Sequence, residues 1–301
     1  MPVVYRPARA DDLEPADALV VASINELTER HGFGRMAESS PPKFQSFCLT
    51  DDPRGLWTAE EDGDILGFAW SWVCEDLWFL AQLFVKPGIQ GRGLGNELLS
   101  RTLDHARAAG ATKRALITFA FNTVSQGLYI RNGFLPRFPI YTLGVAREAL
   151  CDRLGDAPLH RVALDGSDAH VQQLARIDRQ ALGVSRGKHH AYLTTDPTCR
   201  GYGLHAGGGD WLGYVYVSDS GHIGPLAVAV PEVAGAAFKT ALVLAAETAS
   251  PRISAFVPGT SVQVLGAAVQ HGMRIRFPML FMSDADIGDW SGYLPRNPGF
   301  M

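Results

Sequence analysis

Between an apolar run, Leu77–Val85, and an amphipathic run, Leu94–Ala109, the chain places Gln90-Gly91-Arg92-Gly93-Leu94-Gly95. A strand that ends in such a turn and re-enters as a helix is tightly constrained. Residues without a Cβ let several backbone N–H groups turn toward one point, and the positive end of the helix dipole lies just behind them. The product is a cradle for a phosphate or pyrophosphate, or else a glycine turn that holds nothing. Gln90 would add an amide and Arg92 a charge-assisted contact. No Gly-Lys-Ser/Thr follows, which excludes the nucleoside-triphosphate loop. Asn96 stands where the dinucleotide fingerprint GxGxxG needs its third glycine.

A second cluster begins 27 residues past Gly95, at Asn122, and runs through Ser125, Leu128 and Tyr129 to Gly133-Phe134. Asn122 sits where a strand gives way to a helix, a favourable cap position. Tyr129 follows two turns along the same helix face, and Gly133 is a natural stop.

The two clusters, in this order and after a β-hairpin, resemble the GNAT N-acyltransferases. Their motifs are Q/R-x-x-G-x-G/A and N-x-x-A-x-x-L-Y-x-x-x-G-F; Ser125 replaces the alanine of the second. The resemblance covers about residues 3–147 and implies acetyl-CoA, or another acyl-CoA, as co-substrate and no metal. It implies that two strands, Leu77–Val85 and Arg114–Phe121, splay apart and admit the pantetheine arm. Backbone groups of Leu83 and Val85 would bond that arm, and the amide at Leu83 would polarise the thioester carbonyl. The diphosphate would lie on Gln90, Gly91, Arg92, Gly93, Leu94 and Gly95, with Asn122 and Ser125 beside the arm. Tyr129 would protonate the departing thiolate. A phenol with pKa near 10 is still protonated at pH 7, whereas a thiol titrates near 8.5.

The acceptor implied is a primary amine of a small molecule, attacking directly. Freeing an alkylamine of its proton at pH 7 costs roughly 4–5 kcal/mol, and an α-amino group about 1–1.5 kcal/mol. Where some members of the family carry a glutamate, this chain has Phe79, and Gln82 is no base. Glu75 and Asp76, at a hairpin, would act through water. Trp70 and Trp72, on one strand face, and Trp78, on the next strand, would give the acceptor an aromatic wall. The missing glutamate also admits a non-catalytic acyl-CoA sensor or scaffold.

Further along, the order β-β-α-β-α-β of residues 65–143 is expected again in residues 211–283. Aligning Pro87 with Pro231 and Gly133 with Gly272 removes the glycine loop, puts Ser261 at the place of Asn122 and Ala268 at that of Tyr129. The fold expected is therefore α/β (α+β): two tandem GNAT-like domains, each a mixed, mostly antiparallel sheet flanked by helices. Residues 1–147 are read as the catalytic acyl-CoA-binding domain. Residues 148–301 are read as a degenerate GNAT-like domain with a linker at 146–162 and a C-terminal tail lacking helix. Glycines place 201–209 in a loop, and Arg186, His189 and His190 are expected on a solvated helix face.

With 47% apolar and 19% charged residues, the 301-residue chain can bury sizeable cores. Lys and Arg number 15 against 18 Asp and Glu in residues 1–150, and 12 against 13 beyond, so neither half is a basic nucleic-acid module. No apolar run approaches the ~20 residues that span a bilayer. The N-terminus lacks a secretory pattern, and Cys48, Cys74, Cys151 and Cys199 are scattered, so a reducing cytoplasm is expected, with the thiols buried. The sequence leaves the oligomeric state unassigned.

Overall fold

The computed structural model describes residues 2–301. The chain forms two compact units: residues up to Ile117 together with Phe121–Leu135, and Thr118–Ala120 together with Pro136–Met301.

The first unit runs β1 (Val4–Pro7), α1 (Leu13–Arg30), α2 (Lys43–Asp51), β2 (Leu56–Glu61), β3 (Asp64–Cys74), β4 (Leu77–Val85), α3 (Leu94–Ala108), β5 (Lys113–Phe119) and α4 (Thr123–Arg131). Its strands lie in the order β1-β2-β3-β4-β5; the first four pair antiparallel and β5 joins β4 in parallel. The β2–β3 hairpin turns at Asp62 and Gly63, both with positive φ (54° and 88°), as the Asp-Gly pair requires. Along α3, Leu94, Leu98, Leu99, Leu103 and Ala106 are buried, the apolar stripe expected from the sequence. Helix α2 was not expected. Its buried residues, Phe44 and Cys48, are a single i, i+4 pair, too short a pattern to read as a helical period.

In the second unit come β6 (Leu135–Ala146), α5 (Arg147–Cys151), β7 (His160–Ala163), α6 (Asp168–Leu182), α7 (Gly187–Thr195), β8 (Cys199–His205), β9 (Gly213–Ser218), β10 (His222–Val228), α8 (Ala234–Ala246), β11 (Arg252–Pro258), α9 (Val262–Gln270), β12 (Arg274–Ser283) and β13 (Tyr293–Leu294). The sheet order is β12-β6-β11-β10-β9-β8-β7, with β13 also on β10. One sheet face carries Leu143, Val145, Ile253, Ala255 and Val257 into a core with Phe238, Ala241 and Leu242 of α8 and Val264 and Ala268 of α9.

Strand β6, expected to close the first half, is counted almost wholly with the second unit and pairs antiparallel with β11 from Ala146↔Arg252 to Ile140↔Pro258. The segment expected as a linker contains α5, whose Leu150 is fully buried. Of the glycines read as a loop, Gly201 and Gly203 lie in β8, whereas Gly207, Gly208 and Gly209 follow it in a loop, all at positive φ. Leu164 and Tyr216 occupy the space a Cβ at Gly201 would need, and the Trp211 ring that at Gly203. Among the cysteines, Cys48, Cys74 and Cys199 are buried but Cys151, at the end of α5, is exposed; none of the four forms a disulfide.

Candidate active site

In the first unit the site follows from where one parallel ladder stops. Strands β4 and β5 pair from Leu77↔Lys113 to Leu80↔Leu116 and no further. On its other side β4 stays on β3 as far as Gly67↔Val85, with a bulge: Trp70 faces Gln82 while Ser71 faces Leu80, leaving Ala81 extra. Past the bulge, Phe68 faces Phe84 and the Lys86 N–H donates to the Leu66 carbonyl. Antiparallel pairing alternates, so the main-chain groups of Leu83 and Val85 point away from β3, to the side β5 has left. The Val85 carbonyl accepts long bonds from Gln90 Nε2 (3.3 Å) and Ser23 Oγ of α1 (3.4 Å).

Beyond Val85 the loop holds Gly88, Gly91 and Gly93 at φ of 84°, 85° and 87°. These are left-handed values that favour glycine, and a Cβ on any of them would meet nothing within 4 Å. The loop surface is therefore bare main chain open to solution. Gly93 is the N-cap of α3 and supplies no side-chain cap; its carbonyl takes the Asn96 and Glu97 amides, both at 3.1 Å. The first-turn N–H groups before them are available to an anion. Arg92 is half-exposed, 3.9 Å from Glu61. The Leu94 side chain is buried, so this residue faces the loop through its backbone alone.

Helix α4 brings up the second cluster. Asn122 caps it: Oδ1 accepts the Ser125 amide (3.2 Å), and Nδ2 donates to the Ser125 hydroxyl (2.7 Å). Both residues stand at the helix start, engaged with each other. Tyr129 is buried on the same helix, its ring edge-on to Phe134, and burial raises its phenol well above the ordinary value of 10.0.

The residues expected around the acceptor are not brought together. Trp72 and Trp78 have no exposed surface; Trp72 stacks on Phe79 at 4.9 Å and Trp78 lies 6.0 Å from Phe134. Trp70 is buried edge-on against Phe44. All three are core residues, because both faces of this sheet are covered, and they offer no wall to an acceptor. Phe79, inside that stack, leaves no room for a carboxylate. Glu75 and Asp76 sit at the β3–β4 turn, five residues and roughly 16 Å along the strand from the bulge. Asp76 receives Thr112 Oγ1 (2.8 Å) and Lys113 Nζ (3.2 Å). Burial alone would raise its carboxyl, but these partners hold it below the usual range.

Two arrangements escaped the sequence reading. Asn25 of α1 takes the Met36 and Ala37 amides on Oδ1 and donates to the Ala37 carbonyl, pinning the α1–α2 loop. Phe33 of that loop stacks on Phe121, at 4.7 Å, next to Asn122. Separately, Ser71 Oγ lies 3.1 Å from His105 Nδ1, whose Nε2 lies 2.9 Å from Asp52. Ser71 and His105 are buried, so this trio ties β3 to α3 and acts as a structural link. No local motif announces either arrangement, since each joins residues far apart in sequence.

The second unit repeats the seam and fills it. Strands β10 and β11 pair in parallel only at His222↔Ser254 and Ile223↔Ala255, again beside a bulge. Past that point β13 takes the place: Leu226↔Leu294 and Ala227↔Tyr293, with the Val228 N–H donating to the Gly292 carbonyl (3.0 Å). No glycine loop precedes α8; Pro231–Val233 runs straight into it. Ala268 is buried, and the Ser261 hydroxyl donates to the Ser291 carbonyl. Arg186, His189 and His190, expected in solvent, are also buried. Arg186 donates to the Tyr214 and Tyr293 hydroxyls, both at 2.6 Å, and faces Asp178, which also meets His190 Nε2 at 3.0 Å.

Comparison with known proteins agrees with this geometry. Residues 21–134 match the acetyltransferase (GNAT) family. Over 85 residues the chain is 39% identical to a mycothiol acetyltransferase of Streptomyces avermitilis, a stretch that is 28% of each chain. It is 32% identical over 137 residues to one of Cellulomonas flavigena, covering 42% of this chain and 34% of that one. The chain thus matches about a third or less of the length of these relatives. Among solved structures, a provisionally assigned acetyltransferase of Pyrococcus horikoshii superposes with a TM-score of 0.77 at 17% identity, over 99% of this chain and 96% of that one. A tandem GNAT protein of the clavulanic acid biosynthesis pathway gives 0.63 at 16%, over 94% and 98%. At such identities the structures show the fold: two GNAT-like halves. Among the described residues no helix is long and apolar enough to cross a membrane.

Proposed function

We propose that the GNAT domain of this chain binds acetyl-CoA, or another acyl-CoA, in the β4–β5 seam and transfers the acyl group to a primary amine of a small molecule. The observation that carries this reading is the end of the ladder at Leu80↔Leu116, directly before a loop of bare main chain at the start of α3. In this reading the pantetheine arm bonds Leu83 and Val85 as a strand would. The diphosphate lies on residues 90–95, and the Leu83 amide polarises the thioester carbonyl.

The amine attacks that carbonyl, the C–S bond breaks, and Tyr129 gives its proton to the departing sulfur. Burial suits Tyr129 to this task, because its neutral form is the favoured one. The proton lost by the amine leaves through water, as no carboxylate stands at Phe79 or at the bulge. An amine of low pKa is therefore the cheaper acceptor. Asn122 and Ser125 hold the N-terminus of α4, and hence Tyr129, in place. The mycothiol acetyltransferase relatives point to a small-molecule acceptor, and the reaction belongs to a reducing compartment where CoA thiols persist. The second unit, its seam taken by β13, binds no CoA.

The test is a panel of amines with acetyl-CoA and a thiol-detecting dye. Release of CoA with at least one amine, lost in Tyr129→Phe, supports the reading. Tight CoA binding without turnover on any amine would favour an acyl-CoA sensor, the reading to which the buried Phe79 lends itself.

A further inference from the structure

In the second unit, at the end of the sheet where α9 turns into β12, three arginines line one cavity of about 340 Å³: Arg153, Arg274 and Arg276. Arg274 and Arg276 are two apart on β12 and share a face. Neighbouring β6 sends Leu143 and Val145 into the core, so Gly144 and Ala146 face the other way. Gly144 has no side chain to fill that face, and Arg276 Nε lies 3.6 Å from where its Cβ would stand. Gly272 does the same for Arg153, whose guanidinium carbon is 3.3 Å from the missing Cβ position. Arg252, paired with Ala146, adds a fourth positive charge on that sheet face.

These charges are uncompensated. Among the described residues no carboxylate lies within 4.0 Å of Arg153, Arg274 or Arg276. Elsewhere in the unit, Arg161 faces Glu247 at 2.9 Å, Arg200 faces Asp219 at 3.5 Å and Arg296 faces Asp196 at 3.7 Å. A chain of net charge −4 that gathers three free guanidiniums around a hollow sets up mutual repulsion. An anion with several oxygens relieves it, and planar guanidinium forks match phosphate oxygens two at a time.

We propose that this cavity binds the phosphate or diphosphate group of a phosphorylated small molecule. Its volume falls at the lower end of small-molecule sites and exceeds what a bare phosphate ion fills. The site is independent of the glycine loop in the first unit and does not rest on the acyltransferase reading.

The test is calorimetric titration of inorganic pyrophosphate into the full chain at low salt. It is repeated on the Arg153→Ala/Arg276→Ala double variant and on Arg92→Ala in the glycine loop. The expected result is a saturable binding event kept in Arg92→Ala and weakened about a hundredfold in the double variant, about tenfold per guanidinium. The substituted arginines are exposed, so the double variant should melt as the parent does. Equal binding by parent and double variant would overturn the proposal, as would the absence of any saturable event. Tighter binding of citrate than of pyrophosphate would overturn the phosphate assignment. CoA titrated in parallel separates the two readings: loss of CoA binding alone counts against the first unit's proposed role and leaves this site standing.

Discussion

Tyr129 meets Phe134 edge-on, with ring centroids 6.4 Å apart and planes at 73°. The ring is buried, and among the described residues its hydroxyl makes no hydrogen bond. Replacing Tyr129 by Phe should therefore leave the melting temperature nearly unchanged while lowering kcat by about 10²–10⁴-fold, the usual worth of a placed general acid. Affinity for CoA should stay within a factor of two or three of the parent. Unchanged turnover would remove the proton-donor role.

Burial raises the phenol of Tyr129 above its ordinary 10.0. A folded-state value above the unfolded one contributes stability that is fully present below about pH 10 and lost at more alkaline pH. On the proposed mechanism Tyr129 consequently stays protonated throughout the range in which an amine acceptor loses its proton. The kcat profile between pH 7 and 10 should rise with amine deprotonation and show no falling limb. A falling limb that disappears in Tyr129→Phe would contradict this.

Gly93, at φ 87°, is the N-cap of α3. A Cβ there meets no atom within 4 Å, so Gly93→Ala clashes with nothing in the free protein and carries only the left-handed strain, about 1–2 kcal/mol. In the proposed complex the same methyl would stand where the diphosphate approaches. Affinity for CoA should fall by tenfold or more, beyond anything the stability change explains. Denaturant melts and CoA titration of the same sample measure the two effects separately.

In the second unit, burial alone would push the Asp178 carboxyl up. The charges of Arg186 and His190 and the bonds from His190 and Tyr214 overcome it and hold Asp178 well below the usual carboxylate range. Asp178→Asn removes the carboxylate that faces buried Arg186 and should cost roughly 3–5 kcal/mol at pH 7. Because the folded value is depressed, the charge contribution is present above about pH 4 and fades as pH falls further. Urea melts at pH 7 and near pH 3 should show the parent–variant difference shrinking on acidification. A difference that does not change with pH would deny the ionic role.

What could be read from the chain in advance was local. The Gln90–Gly95 turn, the Asp62-Gly63 hairpin and the Asn122 cap each depend on residues within one turn of each other, and each formed as expected. Side-chain surroundings depend on partners distant in sequence. Trp70, Trp72 and Trp78 alternate as an exposed wall would, yet α2, unseen in the sequence, brings Phe44 over Trp70. Arg186 and His190 look like solvent residues until Asp178, Tyr214 and Tyr293 are placed around them. The tail, recognised only as non-helical, contains the two residues of β13.

Strand β13 and the pantetheine arm of the proposed complex are two solutions to one problem, an unzipped pair of parallel strands. In the second unit the stopper is covalently attached, so its local concentration never varies and that half is sealed whatever the surrounding medium contains. In the first, on the proposed reading, the stopper is borrowed from the coenzyme. Heating the protein with increasing coenzyme should therefore move one half's melting and leave the other's where it was, giving a single polypeptide an internal reference against its own ligand.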